Sequence, residues 1–301
     1  MSTVTAPARE QTRARYPNEA GYVERDGVRT FYEVYGEGEP TVLFVPPWAI
    51  VHSRVWKMQI PYFARHYRVV AYDGRGNGRS DRPAVTEAYS EWEYAAEALA
   101  VLDETETGRA VVVDSSSGAE RALILAAEHP ERVSGMVFIA PWVSLAIRLE
   151  ESAYRWFDEV LDDYAGWAKY NRHYWLRDYR GFLEFFFSQC FTETHSTKPI
   201  EDCVNWGLET NPETLILTVT APELDEATTL ELCARVRCPV LVIHGDEDTI
   251  CLPAQGAALA EATRGRLVTL AGSGHCPQGR DPVRVNLMIR EFVESLERTP
   301  A

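Results

Sequence analysis

Short apolar runs of strand length alternate along this chain with amphipathic runs of helix length, in two separate blocks. In the first block Gly21–Tyr35 reads as a hairpin turning at Asp26-Gly27. Strand-like runs follow at Thr41–Val45, Tyr67–Tyr72, Arg109–Val113 and Val133–Ile139, with helical stretches near Ser90–Asp103 and Ser117–Glu128 between the later ones. In the second block a strand at Val240–Ile243 is followed by a helix at Ala254–Ala262. A strand at Leu267–Leu270 and an amphipathic helix at Pro282–Leu296 complete it. Strands joined through helices return to one sheet by right-handed crossovers and lie parallel, so both sheet faces are covered. The pattern predicts an α/β fold built on a mostly parallel sheet flanked by helices.

Residues 141–235 separate the blocks and differ in texture. They show no clear strand and carry five Trp, six Phe and five Tyr, about twice the aromatic density of the rest. The segment is expected to be a helical insertion over a core formed by 19–140 and 236–301. Some of its aromatic side chains must form its own core, and others are expected to line a ligand cavity facing the sheet. Residues 1–18 are polar, lack the apolar stretch of a secretory signal, and are expected to form a mobile arm.

Charge narrows the partners. The formal net charge of -15 argues against nucleic acid and against anionic membranes. No run reaches the apolar length needed to span a bilayer. Six cysteines (Cys190, Cys203, Cys233, Cys238, Cys251, Cys276) show no CxxC spacing, which fits reduced thiols in a cytoplasmic protein. Cys190, His195 and Cys203 match no zinc-ligand spacing. "GRGNG" (Gly74–Gly78) follows a strand but opens no helix, so it is expected to be a structural turn and not a dinucleotide site. No metal or cofactor is expected.

The stretch "VVVDSSSGA" (Val111–Ala119) places three serines between a strand and a helix. Serine becomes a nucleophile only when a neighbouring base takes its proton and an acid orients that base. A tight strand-to-helix turn adds backbone N–H groups for a developing oxyanion, and it demands small residues around the nucleophile. Gly118 and Ala119 are the small pair after the turn, which selects Ser116. Asp114 then occupies the position where a glycine is usual. The alternative is that the serines only cap the helix. Asp248 lies on the loop after Val240–Ile243, and His275 lies on the loop after Leu267–Leu270. The order Ser116, Asp248, His275 is that of the nucleophile-elbow enzymes, and each follows a strand's carboxyl end. Asp246 and Glu247 are rivals for the acid; the spacing from Gly245 favours Asp248.

With "TVLFVPPW", "RVVAYDGRGNGRSDRP", "DSSSGAERALILAAEHPERV", "LVIHGDEDTICLP" and "GSGH" in place, the chain resembles the α/β-hydrolase-fold superfamily, in its cap-bearing serine hydrolases. The resemblance covers nearly everything after the arm. It implies an α/β-hydrolase fold with an inserted helical cap. It also implies an oxyanion donor in the loop after the third strand, usually His-Gly-x. Here the loop is Pro46-Pro47-Trp48. Proline has no N–H, so Trp48 is the first donor, beside the N–H of Ser117. Trp142, at the sheet–cap junction, and Trp175, within the cap, are the candidate pocket walls.

The expected activity is hydrolysis of a mainly apolar small-molecule ester, lactone or thioester through an acyl-enzyme. Two alternatives stay open. One is non-hydrolytic or C–C bond-cleaving chemistry on the same residues, such as a lyase, acyltransferase or perhydrolase. The other is a small-molecule sensor with a cap-covered pocket.

Overall fold

The computed structural model describes residues 13–145 and 155–297; most of the expected arm, residues 1–12, lies outside them. Eight strands among the described residues form one sheet in the order β1-β2-β4-β3-β5-β6-β7-β8. β1 (Glu19–Arg25) and β2 (Val28–Tyr35) are the expected hairpin. Asp26 and Gly27 both have positive φ, the pairing a tight two-residue turn requires. β2 runs antiparallel to β4 (Val69–Tyr72). The remaining strands pair in parallel: β3 (Thr41–Phe44), β5 (Ala110–Ser115), β6 (Val133–Ile139), β7 (Val240–Gly245) and β8 (Arg266–Leu270).

Alternation along β5 decides where each of its residues points. Val111 and Val113 pack on one face, against α1 (Ile60–Phe63) and α11 (Pro282–Glu297). Val112 packs on the other, against α2 (Glu91–Glu104), α3 (Gly118–Glu128), α8 (Glu226–Arg235) and α9 (Pro253–Thr263). Asp114 shares the face of Val112, and Ser115 shares the face of Val113. Both faces are dry, as parallel strands covered by helices demand.

Between β6 and β7 the chain forms α4 (Arg172–Arg177), α5 (Tyr179–Cys190), α6 (Thr197–Gly207) and α7 (Pro212–Val219). Side-chain oxygens of Asn171, Asp178 and Asn211 cap three of these helices. Their apolar faces meet in a separate core of Phe182, Phe186, Phe187 and Trp175, which also takes in Ile50 and Ile250 from the loops at the sheet's carboxyl end. Leu232 and Cys233 of α8 pack into the sheet's own core. No described helix is long and apolar enough to cross a membrane.

Candidate active site

Ser116 sits at the sharp turn between β5 and α3 with φ of 55°, a conformation that costs an L-residue roughly 1–2 kcal/mol. Three backbone hydrogen bonds hold it there. Its N–H donates to the Ile139 carbonyl (3.0 Å), and its carbonyl accepts from the N–H groups of Ala119 (3.1 Å) and Trp142 (2.9 Å). Ser117 has ordinary helical dihedrals and starts α3. The small residue at 118 is needed: a Cβ on Gly118 would lie 3.2 Å from both the Asp114 Cβ and the Pro46 carbonyl oxygen. The neighbouring hydroxyl also has a partner. Ser115 Oγ accepts from Gln278 Nε2 (3.2 Å), tying the end of β5 to α10 (Pro277–Arg280), just beyond His275.

Asp114, beneath this turn, is fully buried, and neither carboxyl oxygen has a hydrogen-bond partner among the described residues. Burial drives its pKa well above the usual carboxylate range, and the positive Arg121 offsets only part of that. Burial thus favours the neutral carboxyl, the form that keeps a negative charge away from the place where an oxyanion would form. Arg121, also buried, organises the facing loop. Its Nε and Nη2 form a paired contact with Glu91 (2.9 and 3.0 Å), while Nη1 donates to the carbonyls of Pro46 (3.4 Å) and Pro47 (3.2 Å). The Pro46-Pro47-Trp48 segment is thus clamped from α3, and the Trp48 indole is anchored to the cap through Thr218 Oγ1 (2.7 Å).

The acid and base candidates meet directly. His275 Nδ1 lies 2.9 Å from Asp248 Oδ2, and both side chains are buried. An ionised carboxylate only accepts, so Nδ1 carries a proton. Backbone N–H groups of Ile250 (2.8 Å) and Cys251 (3.0 Å) donate to Asp248 Oδ1. Burial alone would raise the Asp248 pKa, yet the charge of His275 and hydrogen bonds from His244 and His275 hold it far below the ordinary range. Burial likewise pulls His275 down, but Asp248 and then Cys251 carry it well above its ordinary value. The rivals Asp246 and Glu247 are exposed, and Asp246 instead accepts from the Gly272 N–H.

A second histidine supports this pair. His244 Nε2 lies 3.2 Å from Asp248 Oδ2 and 2.9 Å from the Cys251 carbonyl, so it donates to both. Its other face is packed tightly, since a Cβ on Gly256 would lie 2.2 Å from His244 Nδ1. Asp248, Cys251 and His275 bring an oxygen, a sulfur and a nitrogen within 4.8 Å of one another, a grouping a metal could use. The hydrogen bonds just described already occupy the carboxylate and Nδ1.

Ser116, Ser117, Trp48 and Trp142 line one cavity of about 750 Å³ between sheet and cap. Tyr170, Phe186 and Ile250 add apolar wall, while Glu91, Glu120, Arg121 and Glu223 make part of it charged. Trp175 is not one of these walls. Its ring is fully buried behind them, 4.4 Å from the centre of Phe182 and 6.0 Å from Trp48, because α4 turns it into the cap's own core. Sequence reasoning missed Tyr170 and Phe186 as walls, and Arg121, Glu91 and His244 as supporting groups. The one visible signal for Arg121 is its place, with Glu120, directly ahead of the apolar run "ALILAA". Gly74–Gly78 forms a turn, closed by Asp73 accepting from the N–H groups of Arg79 (3.0 Å) and Ser53 (3.1 Å).

Comparison with known proteins fits this architecture. A sequence profile described as alpha/beta hydrolase fold matches residues 40–282. A bifunctional esterase/perhydrolase of Acinetobacter calcoaceticus is 26% identical over 283 residues, 91% of this chain and 100% of that protein. A non-heme haloperoxidase of Rhodococcus erythropolis is 28% identical over 276 residues, 90% of this chain and 97% of that one. Among solved structures, Est816, described as an N-acyl homoserine lactone degrading enzyme, superposes with a TM-score of 0.74 at 26% identity. That match covers 90% of this chain and all of Est816. With the profile spanning most of its length, the chain belongs to the alpha/beta hydrolase fold family.

Proposed function

We propose that this protein is a serine hydrolase that cleaves a small ester, lactone or thioester through an acyl-enzyme. The observation that carries the reading is Ser116, held at positive φ between β5 and α3 and opening into the aromatic-walled cavity. In the reaction Ser116 Oγ attacks the acyl carbon while His275 Nε2 takes its proton. Asp248 fixes the imidazole tautomer and stabilises the imidazolium, with His244 holding Asp248 in place. The N–H groups of Ser117 and Trp48 receive the oxyanion. His275 then gives its proton to the leaving group, and a water activated by the same imidazole releases the acid. An apolar substrate body fits Trp142, Tyr170 and Phe186, and a polar group fits the charged part of the wall.

Similarity to an esterase/perhydrolase over nine-tenths of the chain favours a second outcome for the same acyl-enzyme, in which hydrogen peroxide replaces water as acceptor. Product analysis in ¹⁸O-labelled water distinguishes the two, since only hydrolysis places that label in the acid. The test of the reading as a whole is Ser116→Ala. Turnover of short-chain aryl esters should fall at least about 10⁴-fold with the fold intact. Retained turnover would refute the assignment.

A further inference from the structure

Cys276 follows His275 directly, and its side chain lines a second cavity that shares no wall residue with the first. This cavity, about 650 Å³, is bounded by Val55 and Met58, by Phe191 and Cys203 of the cap, and by Gln278. Cys190, the last residue of α5, stands behind Cys276, and the two thiols interact. The two backbones also touch, since the His275 N–H donates to the Cys190 carbonyl (3.2 Å). Two thiols from different layers are thus in contact, Cys190 buried and Cys276 partly open to the cavity.

We propose that Cys276 and Cys190 form a peroxide-responsive thiol pair: Cys276 is oxidised first, and Cys190 then closes a disulfide joining cap to histidine loop. The surroundings agree with that order. The hydrogen bond from Cys190 lowers the Cys276 pKa against the effect of burial, with help from His275, whereas burial pushes the thiols of Cys190 and Cys203 up. The oxidant is hydrogen peroxide. The Cys276 sulfur attacks one peroxide oxygen, the O–O bond breaks, and hydroxide leaves with the thiol proton as water. The Cys190 sulfur then attacks the sulfenic sulfur. An S–S bond forms, the S–O bond breaks, and the Cys190 proton leaves with hydroxide as a second water. Two thiols lose two electrons and one peroxide becomes two waters.

The cross-link would lock a junction that already meets both catalytic loops. Thr249 Oγ1 donates to the Gln189 carbonyl (3.0 Å), and the Gly274 N–H donates to Glu193 Oε1 (2.9 Å). Drawing Cys276 towards α5 also moves the adjoining His275, so oxidation should slow turnover and reduction should restore it.

Peptide mapping of the native protein after hydrogen peroxide treatment tests this without reference to any substrate. The expected product is a Cys190–Cys276 cross-linked peptide that dithiothreitol removes. In Cys190→Ser, a dimedone adduct should instead accumulate on Cys276. In untreated native protein, iodoacetamide should label Cys276 about tenfold faster than any other cysteine, a readout that stands even if the variant fails to fold. Oxidation appearing first at another cysteine, both thiols remaining alkylatable after peroxide, or equal labelling rates would overturn the proposal. Unchanged turnover in fully cross-linked protein would overturn its link to the active site.

Discussion

Replacing Asp114 by asparagine isolates a proton that the fold holds beneath the nucleophile. The wild-type carboxyl is fully buried without a hydrogen-bond partner among the described residues, and it stays protonated well above the pH at which the unfolded chain releases its proton. Over that interval the native state binds one more proton than the unfolded state, so stability must fall as pH rises. Linkage sets the slope at about 1.4 kcal/mol per pH unit from a single group, beginning just above the ordinary carboxyl pKa near 4. It fades once the folded carboxyl itself ionises. The substituted amide would have nearly the same size and burial, and leaving it unpaired costs the same at every pH. The difference in unfolding free energy between wild type and Asp114→Asn therefore cancels other titrations and leaves this slope. Equilibrium urea unfolding followed by tryptophan fluorescence, at half-unit steps from pH 5, measures it, provided the m-values agree. Parallel curves would refute the reasoning, because they would mean that Asp114 is ionised in the native state.

Two further substitutions test the supporting structure. Gly256→Ala would ordinarily favour a helix, but here its Cβ would lie 2.2 Å from a His244 ring already pinned by Asp248 and the Cys251 carbonyl. It should cost about 1–3 kcal/mol by urea unfolding and lower kcat as Asp248 shifts; a stabilised, fully active variant would contradict the packing. His52 bridges Asp73 of the core (3.5 Å) and Glu209 of the cap (3.4 Å), and despite burial these partners raise its pKa to about 9. Its contribution is complete below pH 6.5 and is lost as pH rises through about 9, roughly 3 kcal/mol in all. His52→Gln should remove that alkaline slope in thermal unfolding, and an unchanged slope would discount the bridge.

The sequence was most informative where local chemistry and periodicity agree. Asp26-Gly27 demanded a positive-φ turn, the valines of β5 alternate between two dry faces, and Gly118-Ala119 marked the strand-to-helix turn where Ser116 takes a positive φ. Illegible were contacts between residues far apart in the chain. Arg121 and Glu91 are 30 residues apart and meet only because α2 and α3 pack side by side. His244 looked like one histidine among seven until Asp248 folded back onto it. Trp175 and Trp142 have the same chemistry, but α4 carries the former into the helical layer's core, while the latter follows β6 and lies on the cavity. The packing of α8 was equally illegible, since it resembles its neighbours in composition while its packing partners are those of the sheet.

The most direct test of the central claim is covalent capture of the nucleophile. An aryl phosphonate at equimolar ratio should add once per chain, abolish ester turnover, and map by peptide sequencing to Ser116. His275→Ala should slow that capture at least about 10³-fold, since the base would be gone. An adduct on Ser115, Ser117 or Cys251, or capture that proceeds equally fast without His275, would contradict the account.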